Sequence, residues 1–168
     1  NFFFPQRCIM CRKRLTSKEN FICTPCLIHL PLTNYHLVEN NPLEKHFWGL
    51  FPIEKAASFF YHDGEKTRSI LYHIKYYHHP EVGKFLAALY AEELKDYQFF
   101  KDIDAIVPIP LHWKRMLKRH YNQSHYIAQG ISQSTGIPIF NDVVKRMVNK
   151  DELLYKIADT LDEVRSKV

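Results

Sequence analysis

Glycine is scarce in this chain. There are five in 168 residues, at positions 49, 64, 83, 130 and 136, and none afterwards. Glycine lets backbone amides crowd against a phosphate, so a glycine-built phosphate loop has little material beyond Gly136. No G-x-x-x-x-G-K-[ST] stretch occurs, which removes the P-loop class. No apolar run is long enough to span a bilayer and no signal peptide is visible, so the cytoplasm is the expected compartment. The first residue is Asn1, not Met, which suggests that the sequence begins a little inside the full product.

What is present fits a globular protein. Hydrophobic residues make up 46% and charged residues 24%, and 10 Tyr with 12 Phe argue against disorder. The length suits one domain plus a small appendage. A net charge of +5 and a pI near 9.0 are compatible with nucleic-acid or phosphate ligands.

The four cysteines fall as Cys8-Ile-Met-Cys11 and Cys23-Thr-Pro-Cys26. Two such knuckles can place four thiolates tetrahedrally around one Zn²⁺ at about 2.3 Å. Arg12 to Ile22 is long enough for a hairpin that joins them, and Arg7, Arg12, Lys13 and Arg14 would help stabilise thiolates. Two disulfides are the competing reading, disfavoured in a reducing compartment. Independent redox motifs are another, although neither pair opens a long helix after a strand. The expectation is structural Zn²⁺ at Cys8, Cys11, Cys23 and Cys26, with no open position for a catalytic water.

Residues 27–52 contain Pro31, Pro42 and Pro52 and read as a connector of little regular structure. His29, His36 and His46 lie in it and are expected to be surface or packed residues. Ala56 to Tyr61 suggests a strand, closed by Asp63-Gly64. Ile70, Leu71 and Ile74 then recur at helical spacing within 65–77. A second helix is expected from Pro80 to about Lys95, with Val82, Phe85, Leu86, Leu89, Tyr90 and Leu94 as its stripe. Asp102 and Asp104 bracket Ile103; paired carboxylates can act as acid and base, but exposed strand-edge aspartates are the commoner case.

The central stretch runs I-V-P-I-P-L-H-W-K-R-M-L-K-R-H-Y-N-Q-S from Ile106 to Ser124. A short β-branched run ends at Pro108 and Pro110, where a buried strand must stop or lie at an edge. Lys114, Arg115, Lys118 and Arg119 follow, and on a helix they form two like-charge i,i+4 pairs that add nothing to folding. An anionic partner explains such crowding; a solvated basic face is the bland alternative. Asn122 is a good N-cap for a helix burying Ile127, Ala128 and Ile131, with Gly136 as its C′ residue and a strand over 137–140. Strand, helix, strand at this length implies a right-handed crossover in a parallel sheet.

V-P-I-P-L-H followed by K-R and H-Y-N-Q-S resembles the central motif of the ComF family, V-P-x-P-L-H…R-G-[FY]-N-Q. His120 stands where that family commonly has glycine. The paired C-x-x-C knuckles, the C-x-x-C-L-x-x-L-P pattern from Cys23 to Pro31, and L-Y-H-I-K-Y ending at Tyr76 are similar to the family as well. The likeness covers roughly Arg7 to Arg146. It implies an α/β fold: a small N-terminal zinc ribbon, then a type I phosphoribosyltransferase-like parallel sheet, whole or incomplete, with flanking helices. The corresponding division is 1–45, a zinc module with its connector, and 46–168, the phosphoribosyltransferase-like part with a C-terminal helix.

The function the resemblance implies is single-stranded DNA binding and uptake in natural transformation. One alternative is an active phosphoribosyltransferase using phosphoribosyl pyrophosphate and Mg²⁺, similar to amidophosphoribosyltransferases. Another is a zinc-stabilised interaction module. Transferases of this type carry two adjacent acids and then Thr-Thr-Gly-x-Thr, and the chain has neither a Thr-Thr nor an Asp-Asp pair. No catalytic residue is assigned on this reading. The expected ligand-contacting residues are Lys75, Lys114, Arg115, Lys118, Arg119, Asn122 and Gln123. Expected partners are single-stranded DNA, a competence helicase or recombination proteins, and a second copy through the C-terminal helix. That helix is expected from Asn149, with Leu153, Ile157, Leu161, Val164 and Val168 at spacings of four and three.

Overall fold

The structure is a computed structural model that describes residues 6–50, 52–62, 64–141 and 143–144. The expected C-terminal helix lies outside the described residues. Among the described residues there are six α-helices: α1 (Thr24–Ile28), α2 (Pro42–Phe47), α3 (Gly64–Lys75), α4 (Glu81–Asp96), α5 (Trp113–Arg119) and α6 (Gln123–Thr135). A 3-10 turn covers Tyr35–Leu37.

The expectation of an α/β fold with a parallel sheet is overturned, because the described residues hold no strand and no sheet. Three isolated bridges stand in its place: Arg7 with Arg14 and Leu32 with Phe60, both antiparallel, and Ile106 with Ile139, parallel. The reason is a shortage of donors. Ile106 gives its N–H to the Pro138 carbonyl (2.9 Å) and accepts from Phe140 N–H (3.0 Å), but Pro108, Pro110 and Pro138 have no N–H to continue the ladder. The 56–61 run turns instead to the connector, where Tyr61 N–H donates to Pro31 (2.8 Å) and Thr33 N–H to Phe59 (3.2 Å).

The helices follow their apolar spacing closely. Thr67, Ile70 and Ile74 form the buried face of α3. In α4 the buried residues are Val82, Gly83, Leu86, Ala91 and Leu94, whereas Leu89 of the expected stripe is exposed. Pro80 stands one residue before α4, as its N-cap. Asn122 caps α6 by accepting Ser124 N–H at 3.1 Å, and Gly136 ends it with φ 78°.

The connector carries more order than its prolines suggest. Asn41 and Glu44 form a reciprocal capping box at the start of α2, where Pro42 needs no donor. Asn41 is buried, and its Nδ2 donates to Tyr35, Val38 and Ala56 carbonyls. Every polar atom of that side chain is therefore satisfied, which is what its burial requires.

One buried cluster joins the cysteine module to the helices. Cys8, Ile9, Ile22, Cys23, Cys26 and Leu30 are continuous with Ile70, Ile74, Val82 and Leu86. Ser69 Oγ on α3 donates to the Ile9 carbonyl at 2.6 Å, and Phe21 packs 5.9 Å from Phe85.

Candidate metal centre and nucleic-acid interface

The first knuckle is a tight turn. Cys8 N–H donates to Lys13 (2.8 Å), Arg12 N–H donates back to Cys8 (2.9 Å), and Arg12 takes φ 65° to make the reversal. The second knuckle opens α1, with Cys23 as N-cap and a proline in the first turn. Glu19 ties the intervening hairpin to the second knuckle: one carboxylate oxygen accepts Thr16 N–H (2.9 Å), the other Thr24 N–H (2.6 Å), and the two threonine hydroxyls add a bond each. These donors, the Thr16 amide foremost, hold its pKa down at about 2.

This geometry brings the four sulfurs together. Sγ of Cys8, Cys11, Cys23 and Cys26 all lie within 4.8 Å of one another, and all four thiols are free. Cys11 Sγ and Cys23 Sγ are 3.5 Å apart, and Cys23 N–H points at Cys8 Sγ at 3.4 Å. A tetrahedral ion with bonds of about 2.3 Å needs sulfur–sulfur edges of about 3.8 Å, so the residues fit one metal ion such as zinc.

The thiol chemistry points the same way. Burial pushes the Cys8 thiol up, but hydrogen bonds from the Cys23, Cys11 and Met10 amides outweigh it and set it at about 7. Burial and neighbouring sulfurs push Cys26 strongly upward, and burial raises Cys23. Four crowded sulfurs reach the thiolate state together only when a cation balances them.

The basic stretch forms α5, and none of its residues is buried. Trp113 is 60% and Leu117 65% exposed, so Trp113 is not a core ring. Among the described residues, Lys114, Arg115, Lys118 and Arg119 make no ion pair. Lys114 Nζ lies 5.5 Å from the Trp113 ring centroid. His120, where the related motif has glycine, ends α5 in the left-handed region with φ 64°. The backbone thus keeps a glycine-like geometry without the glycine.

The expected ligand residues fall into two groups. Arg119, Asn122 and Gln123 meet at the α5–α6 turn. Arg119 Nη1 donates to Gln123 Oε1 (3.1 Å), and Asn122 Nδ2 donates to the Ile109 carbonyl (3.0 Å). Lys75 closes α3, whose end faces this turn: Arg119 sits 5.1 Å over the Tyr76 ring, and Tyr121 Oη donates to Ile74 (2.8 Å). Lys114 and Arg115 lie at the far end of α5. Tyr121, a flanking ring like Trp113, is half-buried and pinned. Asp102 and Asp104 are both exposed, in keeping with the commoner reading of such a pair.

Over 154 residues the chain is 26% identical to Competence protein F of Haemophilus influenzae, a match covering 86% of this chain and 67% of that protein. The match supports a ComF-family relationship. No family model matches the chain, and no solved structure matches it. The ComF-like stretch V-P-I-P-L-H…N-Q lies on a proline-ended bridge segment, α5 and the start of α6. No helix among the described residues is long and apolar enough to cross a membrane.

Proposed function

We propose that this chain binds single-stranded DNA on the α5 face, as a ComF-type protein would in handling transforming DNA. The observation that supports this reading is the state of α5: four cations without an ion-pair partner among the described residues, beside an exposed Trp113. Phosphates would neutralise Lys114, Arg115, Lys118 and Arg119, and the open indole would stack on a base. Asn122 and Gln123 would hold the α5–α6 turn in place, and Lys75 would add a cation from α3. The four cysteines would carry a structural Zn²⁺ that fixes the module against α3 and α4.

A labelled oligonucleotide titrated across a salt series tests the reading. Neutralising four phosphates of a single strand gives a slope of log K against log[salt] of about −2.8. Binding that is absent at low salt, or that does not vary with salt, overturns it.

A further inference from the structure

We infer that Tyr72, Tyr76 and Tyr77, at the end of α3, form a base-stacking platform that makes the α5 face select single strands over duplex. The inference rests on the nucleic-acid reading of α5 and extends it to a second element. The three side chains are 46%, 50% and 55% exposed, and none of their hydroxyls has a hydrogen-bond partner among the described residues. By contrast, the Tyr121 hydroxyl bonds to Ile74 and the Tyr90 hydroxyl to Ser58. The Tyr121 and Tyr90 hydroxyls are tied to backbone; the hydroxyls of these three are not.

Their grouping has a backbone cause. The N–H groups of Tyr76 (2.8 Å) and Tyr77 (3.2 Å) both donate to the Tyr72 carbonyl, and His79 N–H donates to His73 (3.3 Å). His78 takes φ 56°, so the helix ends tightly with no glycine. The rings of Tyr76 and Tyr77 then lie 5.4 and 6.4 Å from Tyr72. The same turn ties up the Tyr76, Tyr77 and His79 amides, so the three exposed rings dominate the surface it offers to a ligand.

Charge complementarity identifies the occupant. Arg119 stands 5.1 Å over Tyr76, so a phosphate at α5 and a base at the platform are neighbours on one strand. A lone apolar patch would fit many partners; aromatic rings interleaved with Arg119 and Lys75 fit a polyanion with exposed π-faces. Bases in a duplex are stacked on each other and present no face, so the platform rewards only the single strand.

The test uses the whole chain, a labelled oligothymidylate of about 20 nucleotides, the same length of abasic strand, and a duplex. Tyr76→Leu should weaken oligothymidylate binding by about 5- to 150-fold while leaving the salt slope unchanged. Tyr76→Phe should bind like the parent. The parent should lose affinity on the abasic strand and Tyr76→Leu should not, and Tyr76→Leu should also lose its preference over duplex. If the parent binds with the steep salt slope but Tyr76→Leu, and Tyr72→Leu with Tyr77→Leu, match it on every strand, the platform is wrong and the α5 reading stands. If the parent binds no strand, both fall. A loss shared by Tyr76→Phe, or a Tyr76→Leu protein with an altered circular dichroism spectrum, marks Tyr76 as structural and overturns the platform.

Discussion

Gly130 of α6 lies directly against the backbone of α4 at Lys84. A Cβ at Gly130 would stand 2.2 Å from the Lys84 carbonyl oxygen and 3.0 Å from Ala87 Cβ. That is backbone contact, so no side chain can swing aside to relieve it. α4 and α6 pack against each other more extensively than any other helix pair among the described elements, and this glycine lets their backbones meet. Gly130→Ala should therefore destabilise the protein by about 1–3 kcal/mol, read as a lower denaturant midpoint. A midpoint unchanged from the parent would mean that the two helices part at little cost.

The cysteine cluster predicts one metal ion per chain. Freshly purified protein should contain about one equivalent of zinc, and uptake at neutral pH should release protons, chiefly from the thiols that burial holds protonated. Ile9 and Ile22 of the module share one buried cluster with Ile70 and Val82, so Cys23→Ser or chelation should lower the main unfolding transition rather than add a separate early one. Protein without zinc and without titratable thiols would instead favour disulfides.

Glu19 gives the module a pH signature. Its folded pKa of about 2 lies below its ordinary value of 4.5, so its contribution is complete above 4.5 and is lost as the pH falls through 2. Glu19→Gln should lose stability at neutral pH, and the gap to the parent should close as the pH approaches 2. The difference between the two proteins is the readout, because the thiolates also take up protons on the way down. A gap that stays constant with pH would show that the glutamine amide serves the threonines equally well.

The module was legible in the sequence because cysteine spacing is a local geometric constraint, and two C-x-x-C turns joined by a short hairpin bring four sulfurs together. The ends of α6 were legible for the same reason, since Asn122 and Gly136 act on adjacent backbone. The sheet was a non-local expectation. It depended on Ala105 to Val107 and 137–140 finding long ladders, and the prolines on both sides limit them to the Ile106–Ile139 bridge. Trp113 and Tyr121 look alike in sequence, yet one faces solvent and the other reaches Ile74, a contact 47 residues away that no local pattern carries. His120 shows that a left-handed turn can be kept when its usual residue is not.

The sharpest prediction concerns Lys118 and Arg119. Both lie in the last turn of α5, where cations favour the helix C-terminus, so a stabilising role competes with a DNA-binding one. The two roles differ in what they do to salt dependence. Lys118→Ala with Arg119→Ala removes two of the four phosphate contacts, and the slope of log K against log[salt] should flatten by about 1.4. A helix-end effect is worth about 0.3–1 kcal/mol per charge in stability and leaves that slope unchanged in the folded protein. Arg119 also holds Gln123 and covers Tyr76, so the single Lys118→Ala variant is the control, with an expected flattening of about 0.7 and no disturbance of the turn. Parent slopes in both folded variants would leave α5 as an ordinary solvated face.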